Sequence, residues 1–189
     1  MTIEEKLLLN DKLETDRLKL RPVTLDDASD MYAYAQDPET VKYVFDQHQS
    51  VEATKSIILS YFMKTPMGKW GIELKQTHHL IGTIDMRVDQ ANLRAEIGYA
   101  IGRSYWGNGY VPEAATRILE LGFAELHLKR IQARHIAENY KSGRVMQKIG
   151  MHQEGIFKNY AQHKGQTVDE IYYAITDAEW QNLEQAFSL

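Results

Sequence analysis

Between Glu96 and Ala115 a strand-like run ends in the turn Gly107-Asn108-Gly109 and passes directly into a helix. Few sequence features restrict a fold more. A strand, a glycine turn and a helix start bring free backbone N–H groups and the positive end of a helix dipole to one point. Such a point binds an anionic group, usually a phosphate or diphosphate. A G-x-G taken alone reads equally as a tight turn before a helix. A Walker-type loop is excluded by the missing Gly-Lys-Ser/Thr ending. A dinucleotide fingerprint needs a third glycine and an acid further on, whereas Val111 and Pro112 follow here. Pro112 suits the first helical position, where no N–H is needed.

The flanking sequence supplies the rest of a sheet. Arg17 to Arg21 alternates with period two and predicts a strand, ended by Pro22, with Arg17, Lys19 and Arg21 on a solvent face. Thr24 opens a helix that Asp37-Pro38 breaks, and Ser50 caps a second helix over about 50–63. Residues 70–74 and 80–86 read as antiparallel strands joined at His78-His79, and 95–101 as a third. From Pro112 to Leu126, residues Ala115, Ile118, Leu119, Gly122, Phe123 and Leu126 form a continuous apolar stripe. A strand over 130–136, a helix over 142–149 closed by Gly150, a strand over 170–175 and a last helix capped by Asp177 complete the order. Consecutive strands followed by alternating ones predict a mixed α+β sheet. The aromatics Tyr32, Tyr34, Tyr43, Phe45, Tyr61, Phe62 and Trp70 are expected mostly in the core, with one or two lining a groove.

Bulk properties narrow the function. A formal net charge of −4 and a pI near 6.0 give no bulk electrostatic case for nucleic-acid binding. The absence of cysteine removes disulfides, thiolate metal sites and a cysteine nucleophile together. The seven histidines include no His-x-x-x-His or His-Glu-x-x-His spacing, so no metal is expected; His127 and His135 read as structural. Residues 1–13 lack the features of a signal peptide, and no window nears the roughly 20 apolar residues of a membrane span. A cytoplasmic chain that touches no membrane is expected.

Several separated segments, in order over residues 15–182, resemble one family. Leu13 to Pro22 is similar to the first strand of the RimJ/RimL branch of the GNAT superfamily, whose members acetylate ribosomal-protein N-termini. Ala95 to Tyr99 and Trp106 to Tyr110 with Glu113-Ala114 match its fourth strand and pyrophosphate loop. Asn139 to Ser142 with Lys148 to Met151 match its second cofactor motif. Trp106 stands where the superfamily usually has Gln or Arg, Val111 where it has Gly or Ala, and Met151 where it has Phe.

The resemblance implies a GNAT fold: a mostly antiparallel sheet with a splayed strand pair and helices on both faces. It implies an extension at 1–13, an acetyltransferase domain at 14–182 and a tail at 183–189. It further implies acetyl-coenzyme A as cosubstrate, the sheet edge at Tyr99, Ala100 and Ile101 pairing with the pantetheine, and the amides of Trp106, Gly107, Asn108, Gly109, Tyr110 and Val111 holding the diphosphate. Asn139 would contact the pantetheine arm, Ser142 would sit near the sulfur as proton donor, and Glu96 would act as general base through a water. Asn139 and Ser142 read equally as helix caps, and Glu96 as a strand carboxylate paired with a cation. Lys141, Arg144 and Lys148 read as a solvated helix face, or as a lure for the cofactor's 3′-phosphate.

Direct transfer to a primary amine, by a monomer or homodimer, is the expected activity. An α-amine near pKa 8 is neutral in roughly one molecule in ten at pH 7, and a lysine near 10.4 in about one in 2,500. That difference, about 3.3 kcal/mol, leans toward a protein or peptide N-terminus. A small-amine (polyamine or antibiotic) acetyltransferase and a non-catalytic coenzyme A sensor are the alternatives.

Overall fold

The computed structural model describes residues 1–187. Helix α1 (Ile3–Leu9) leads into strands β1 (Leu13–Glu14) and β2 (Leu18–Arg21), then helices α2 (Ala28–Ala35), α3 (Pro38–Val41) and α4 (Val51–Ile57). Strands β3 (Lys69–Leu74), β4 (Leu80–Asp89) and β5 (Arg94–Ile101) follow, then helix α5 (Tyr110–Glu120), strand β6 (Arg130–Ile136) and helix α6 (Tyr140–Lys148). Strands β7 (His152–His163) and β8 (Gln166–Thr176) and helix α7 (Asp177–Phe187) end it. Every sheet neighbour in the order β1-β2-β3-β4-β5-β6-β8-β7 is antiparallel except β5–β6. The α+β class expected from the strand order is the one found.

Helices cover both faces of the sheet. On one, α1, α5, α6 and α7 bury Leu7, Ala114, Ala115, Ile118, Leu119, Met146 and Trp180 against the apolar sides of the strands. On the other, Met31, Tyr34, Ala35, Ile58 and Phe62, from α2 and the α4 segment, pack with Val23 and Leu80. The α5 stripe is buried throughout, and beyond Glu120 the helix widens so that the Leu126 N–H reaches back five residues to the Leu121 carbonyl (3.0 Å). The α4 segment widens in the same way after Ile57.

The structure moves several sequence-level expectations. Helix α5 starts at Tyr110, so Pro112 is its third residue; the first-turn N–H groups all lack partners, so proline fits there equally. Thr176 rather than Asp177 caps α7: its hydroxyl accepts from the Glu179 N–H (3.3 Å) while the Glu179 carboxylate accepts from the Thr176 N–H (2.8 Å), a capping box. Helix α6 starts two residues earlier than expected, leaving Ser142 inside its first turn. Arg21 does not face solvent: its guanidinium forks onto Asp27 (2.7 and 2.9 Å) and meets Glu73 at 2.5 Å. Strands β1 and β7 were not anticipated. Of the segment 183–189, residues 183–187 continue α7, and 188–189 lie outside the described residues.

Candidate active site

The parallel pairing of β5 with β6 lasts three residues, Arg94 with Arg130, Ala95 with Ile131 and Glu96 with Gln132. Beyond that the strands part: β6 continues on β8 to Ile136, and β5 continues on β4 to Ile101. The edge of β5 from Ile97 onward is therefore open toward β6. A cavity of about 570 Å³ occupies this split and reaches both faces of the sheet. Ile97, Gly98, Tyr99, Ala100, His135, Asn139, Ser142 and Met146 line it.

Beyond the open end of β5 the chain turns into α5 through the Gly107–Val111 loop. Gly107 and Gly109 adopt φ of +81° and +80°, in the left-handed region that β-carbons disfavour. Among the described residues, no N–H from Gly107 to Val111 donates to a backbone carbonyl. These are donors in search of an acceptor at the N-terminus of an 11-residue helix, which fits a diphosphate. Val111 is 5% exposed, its side chain packed into the core, so its bulk does not narrow the cradle. Arg17 clamps the loop from β2's leading end, donating to the Asn108 carbonyl (3.0 Å) and to Glu113 (2.6 Å) and stacking over Tyr110. Arg17 meets solvent as expected, and its guanidinium also holds the Glu113 carboxylate below the usual range, together with Thr15. The Trp106 indole donates to the Ile101 carbonyl (2.9 Å), and Lys141 of α6 stacks on its ring at 3.8 Å.

Across the split, Asn139 precedes α6 without a side-chain cap to the helix and donates to the Ser142 hydroxyl (3.0 Å). Ser142 accepts that bond and keeps its own proton for donation. The Tyr99 phenol donates to the Ser142 carbonyl (2.9 Å), and burial pushes its pKa up. Tyr99, Asn139 and Ser142 thus form one connected group. His135 is buried; its Nδ1 bonds the Ile136 carbonyl (2.8 Å), and its Nε2 is without a partner among the described residues. It was read as a satisfied structural histidine, and on this count it is not.

The opposite face carries charge. Glu96 accepts from Arg87 (2.9 Å), Gln132 (3.1 Å) and Arg134 (3.3 Å). Burial alone raises a carboxyl's pKa, but these donors outweigh it and hold Glu96 below the usual range. Arg134 also holds Glu170 (2.6 and 2.7 Å). Asp85 lies on β4 directly opposite Gly98, bonded by the Tyr61 phenol (3.0 Å) and by Arg87. Tyr34, Tyr43, Phe45, Tyr61 and Phe62 line the cavity from the α2–α4 layer, more aromatics than the sequence led one to expect. Sequence reasoning missed Asp85, Arg87, Arg134 and Glu170 as cavity residues. For Asp85, Arg87 and Arg134 the signal was a polar residue at every second position of β4 and β6, legible only once the strands are in register; β8 carries no such alternation around Glu170.

A sheet split along its one parallel pair, with a phosphate-ready helix start at the mouth of the split, defines an acyltransferase that takes its acyl group from coenzyme A. Residues 17–152 match the model of the Acetyltransferase (GNAT) domain. The N-acetyltransferase YoaA of Bacillus subtilis is 36% identical over 168 residues, 86% of this chain and 95% of that protein. The GNAT-family acetyltransferase structure from Bacillus anthracis superposes with a TM-score of 0.80 at 31% identity, covering 88% of this chain and 99% of that one. Over a shorter stretch, 84 residues or 44% of this chain and 43% of the other, the ribosomal protein uS5-alanine N-acetyltransferase of Escherichia coli is 32% identical. The chain belongs to the GNAT family and is an acetyl-coenzyme A-dependent N-acetyltransferase. Among the described residues, no helix is long and apolar enough to cross a membrane, and no cluster of potential metal ligands occurs.

Proposed function

We propose that this enzyme acetylates the N-terminal α-amine of a protein or peptide, by direct transfer within a ternary complex. The observation that carries the reading is the cavity through the split sheet, lined by the open β5 edge and Asn139-Ser142 on one side and by charged and aromatic side chains on the other. Such an opening lets two substrates meet from opposite faces without a covalent enzyme intermediate. Similarity to a uS5-alanine transferase supports an α-amine acceptor, as does the roughly 3.3 kcal/mol lower cost of deprotonating an α-amine than a lysine.

In this reading the Gly107–Val111 amides hold the diphosphate, and the open β5 edge at Tyr99, Ala100 and Ile101 takes the pantetheine and offers an N–H to the thioester oxygen. Asn139 orients Ser142, whose hydroxyl proton is available to the departing sulfur. Glu96 is assigned to the acceptor side, where the resemblance puts the base, and its lowered carboxyl is ionised at neutral pH.

A small-amine acceptor is the second reading. Four carboxylates, Asp46, Asp85, Glu96 and Glu170, against two guanidiniums, Arg87 and Arg134, leave the cavity lining net negative, which also suits a polyamine. Thiol release from acetyl-coenzyme A with N-terminal peptides, spermidine and an aminoglycoside separates the two. Turnover with peptides is expected; turnover confined to the small amines sinks the α-amine assignment.

A further inference from the structure

We propose that Asp85, in a corner shared with Tyr61 and Gly98, is the group that takes the proton from the acceptor amine. The inference rests on the acyl-transfer reading of the cavity but not on which amine is the acceptor.

Position comes first. Asp85 and Gly98 face each other across β4 and β5. A β-carbon at Gly98 would sit 3.3 Å from an Asp85 carboxylate oxygen and 3.3 Å from the Arg87 guanidinium. Both distances are closer than ordinary van der Waals contact, so a side chain at Gly98 would press on Asp85 and Arg87, and glycine leaves the carboxylate uncovered toward the cavity beside the open β5 edge. The residue after Gly98 is Tyr99, where the thioester docks, and adjacent strand residues are roughly 3.3 Å apart. An amine that enters the cavity against Asp85 is therefore brought to the same stretch of edge as the docked carbonyl.

The company of each carboxylate then separates Asp85 from Glu96. Each carboxylate has both oxygens engaged, but Glu96 meets two guanidiniums and an amide. Asp85 meets one guanidinium and a neutral phenol, with Lys69 and Glu96 further off. Burial outweighs the attraction of Arg87 and Lys69, so its carboxyl lies above the usual value while that of Glu96 lies below. Asp85 is the stronger base of the two, and an arriving ammonium supplies the positive charge its surroundings lack.

The step balances. An N–H proton of the ammonium passes to Asp85, and the freed lone pair attacks the thioester carbonyl carbon. As the carbon–sulfur bond breaks, the nitrogen's second proton leaves and the sulfur is protonated, with Ser142 as the near donor and recipient. Asp85 returns its proton to water. The products are the amide, coenzyme A thiol and one proton.

The test compares Asp85→Asn and Glu96→Gln, with thiol release followed against pH. The probes are an N-terminal alanine hexapeptide and spermidine, and calorimetric coenzyme A affinity and thermal unfolding serve as controls. Expected for Asp85→Asn are parental melting and coenzyme A affinity, a kcat loss of about a hundredfold or more, and disappearance of the acid limb of the rate profile. Glu96→Gln is expected to keep that limb. An Asp85→Asn enzyme with parental kcat and limb, or a limb lost with Glu96→Gln but kept with Asp85→Asn, overturns the assignment. If Asp85→Asn does not fold, Gly98→Ala tests the corner: its methyl should raise the acceptor KM at least tenfold with coenzyme A affinity intact, and an unchanged KM overturns it. Turnover of spermidine alone would defeat the peptide-acceptor reading while leaving this comparison fully measurable on spermidine.

Discussion

Gly109 holds φ at +80° where the chain turns into α5, and the amides on either side of it have no backbone acceptor. A β-branched residue there is strained in itself and carries its bulk into the cradle. Gly109→Val is expected to weaken coenzyme A binding at least tenfold, while far-ultraviolet circular dichroism stays parental; unchanged affinity by calorimetry would move the diphosphate elsewhere. Ser142 makes a second residue-scale case. Its hydroxyl accepts from Asn139 and does not cap the helix. Ser142→Ala should leave coenzyme A affinity within about twofold and lower kcat about tenfold or more, the scale of a lost general acid. A parental kcat would reduce Ser142 to a lining residue. The loop residues and Asn139-Ser142 were legible because their types are set by local geometry, φ and helix position. Asp85 and Arg87 were not, because their meaning depends on which residues of β5 stand opposite, and register is a property of two strands.

At the scale of elements, the β2–α2 junction is held by one half-buried guanidinium, that of Arg21. Arg21 satisfies Asp27 and Glu73, which are 6% and 8% exposed. Removing it takes the one guanidinium from two buried carboxylates that then keep only Thr24 and His78, so Arg21→Met should cost about 3–5 kcal/mol of unfolding free energy in a urea titration. A change below about 1 kcal/mol would mean the carboxylates find water or other donors. The pair also sets a pH dependence. Hydrogen bonds from Arg21 hold both carboxyls below their usual values against the opposing pull of burial. Their contribution is complete above the ordinary carboxylate range and is lost as pH falls through the lowered folded-state values. Parental stability should therefore decline in acid more steeply than that of Arg21→Met. Strand β7 shows why part of the fold stayed hidden. Nearly all of its 12 residues are exposed or half-exposed, so no apolar alternation marks it. Its signal was Lys164-Gly165, a two-residue hairpin turn with both φ positive (+48° and +79°), which the sequence shows as a bare Lys-Gly.

For the molecule as a whole, the eight strands are two half-sheets, β1–β5 and β6–β8, whose ladders touch at three residue pairs. Each half has its own backbone hydrogen bonding, and the amides of β5 beyond Glu96 are left without a strand on one side. A slender molecule laid along that gap behaves as a borrowed strand: it supplies the missing ladder and ties the halves together. Substrate capture and the closing of the sheet then become one cooperative event. Coenzyme A at a hundred times its dissociation constant should stabilise the chain by about 2.7 kcal/mol, and hydrogen exchange should slow in β5 and β6 together. Protection confined to one half would mean the two ladders respond separately. On the proposed docking the donor finishes the sheet, so the enzyme is most cohesive when loaded and looser once the spent thiol departs.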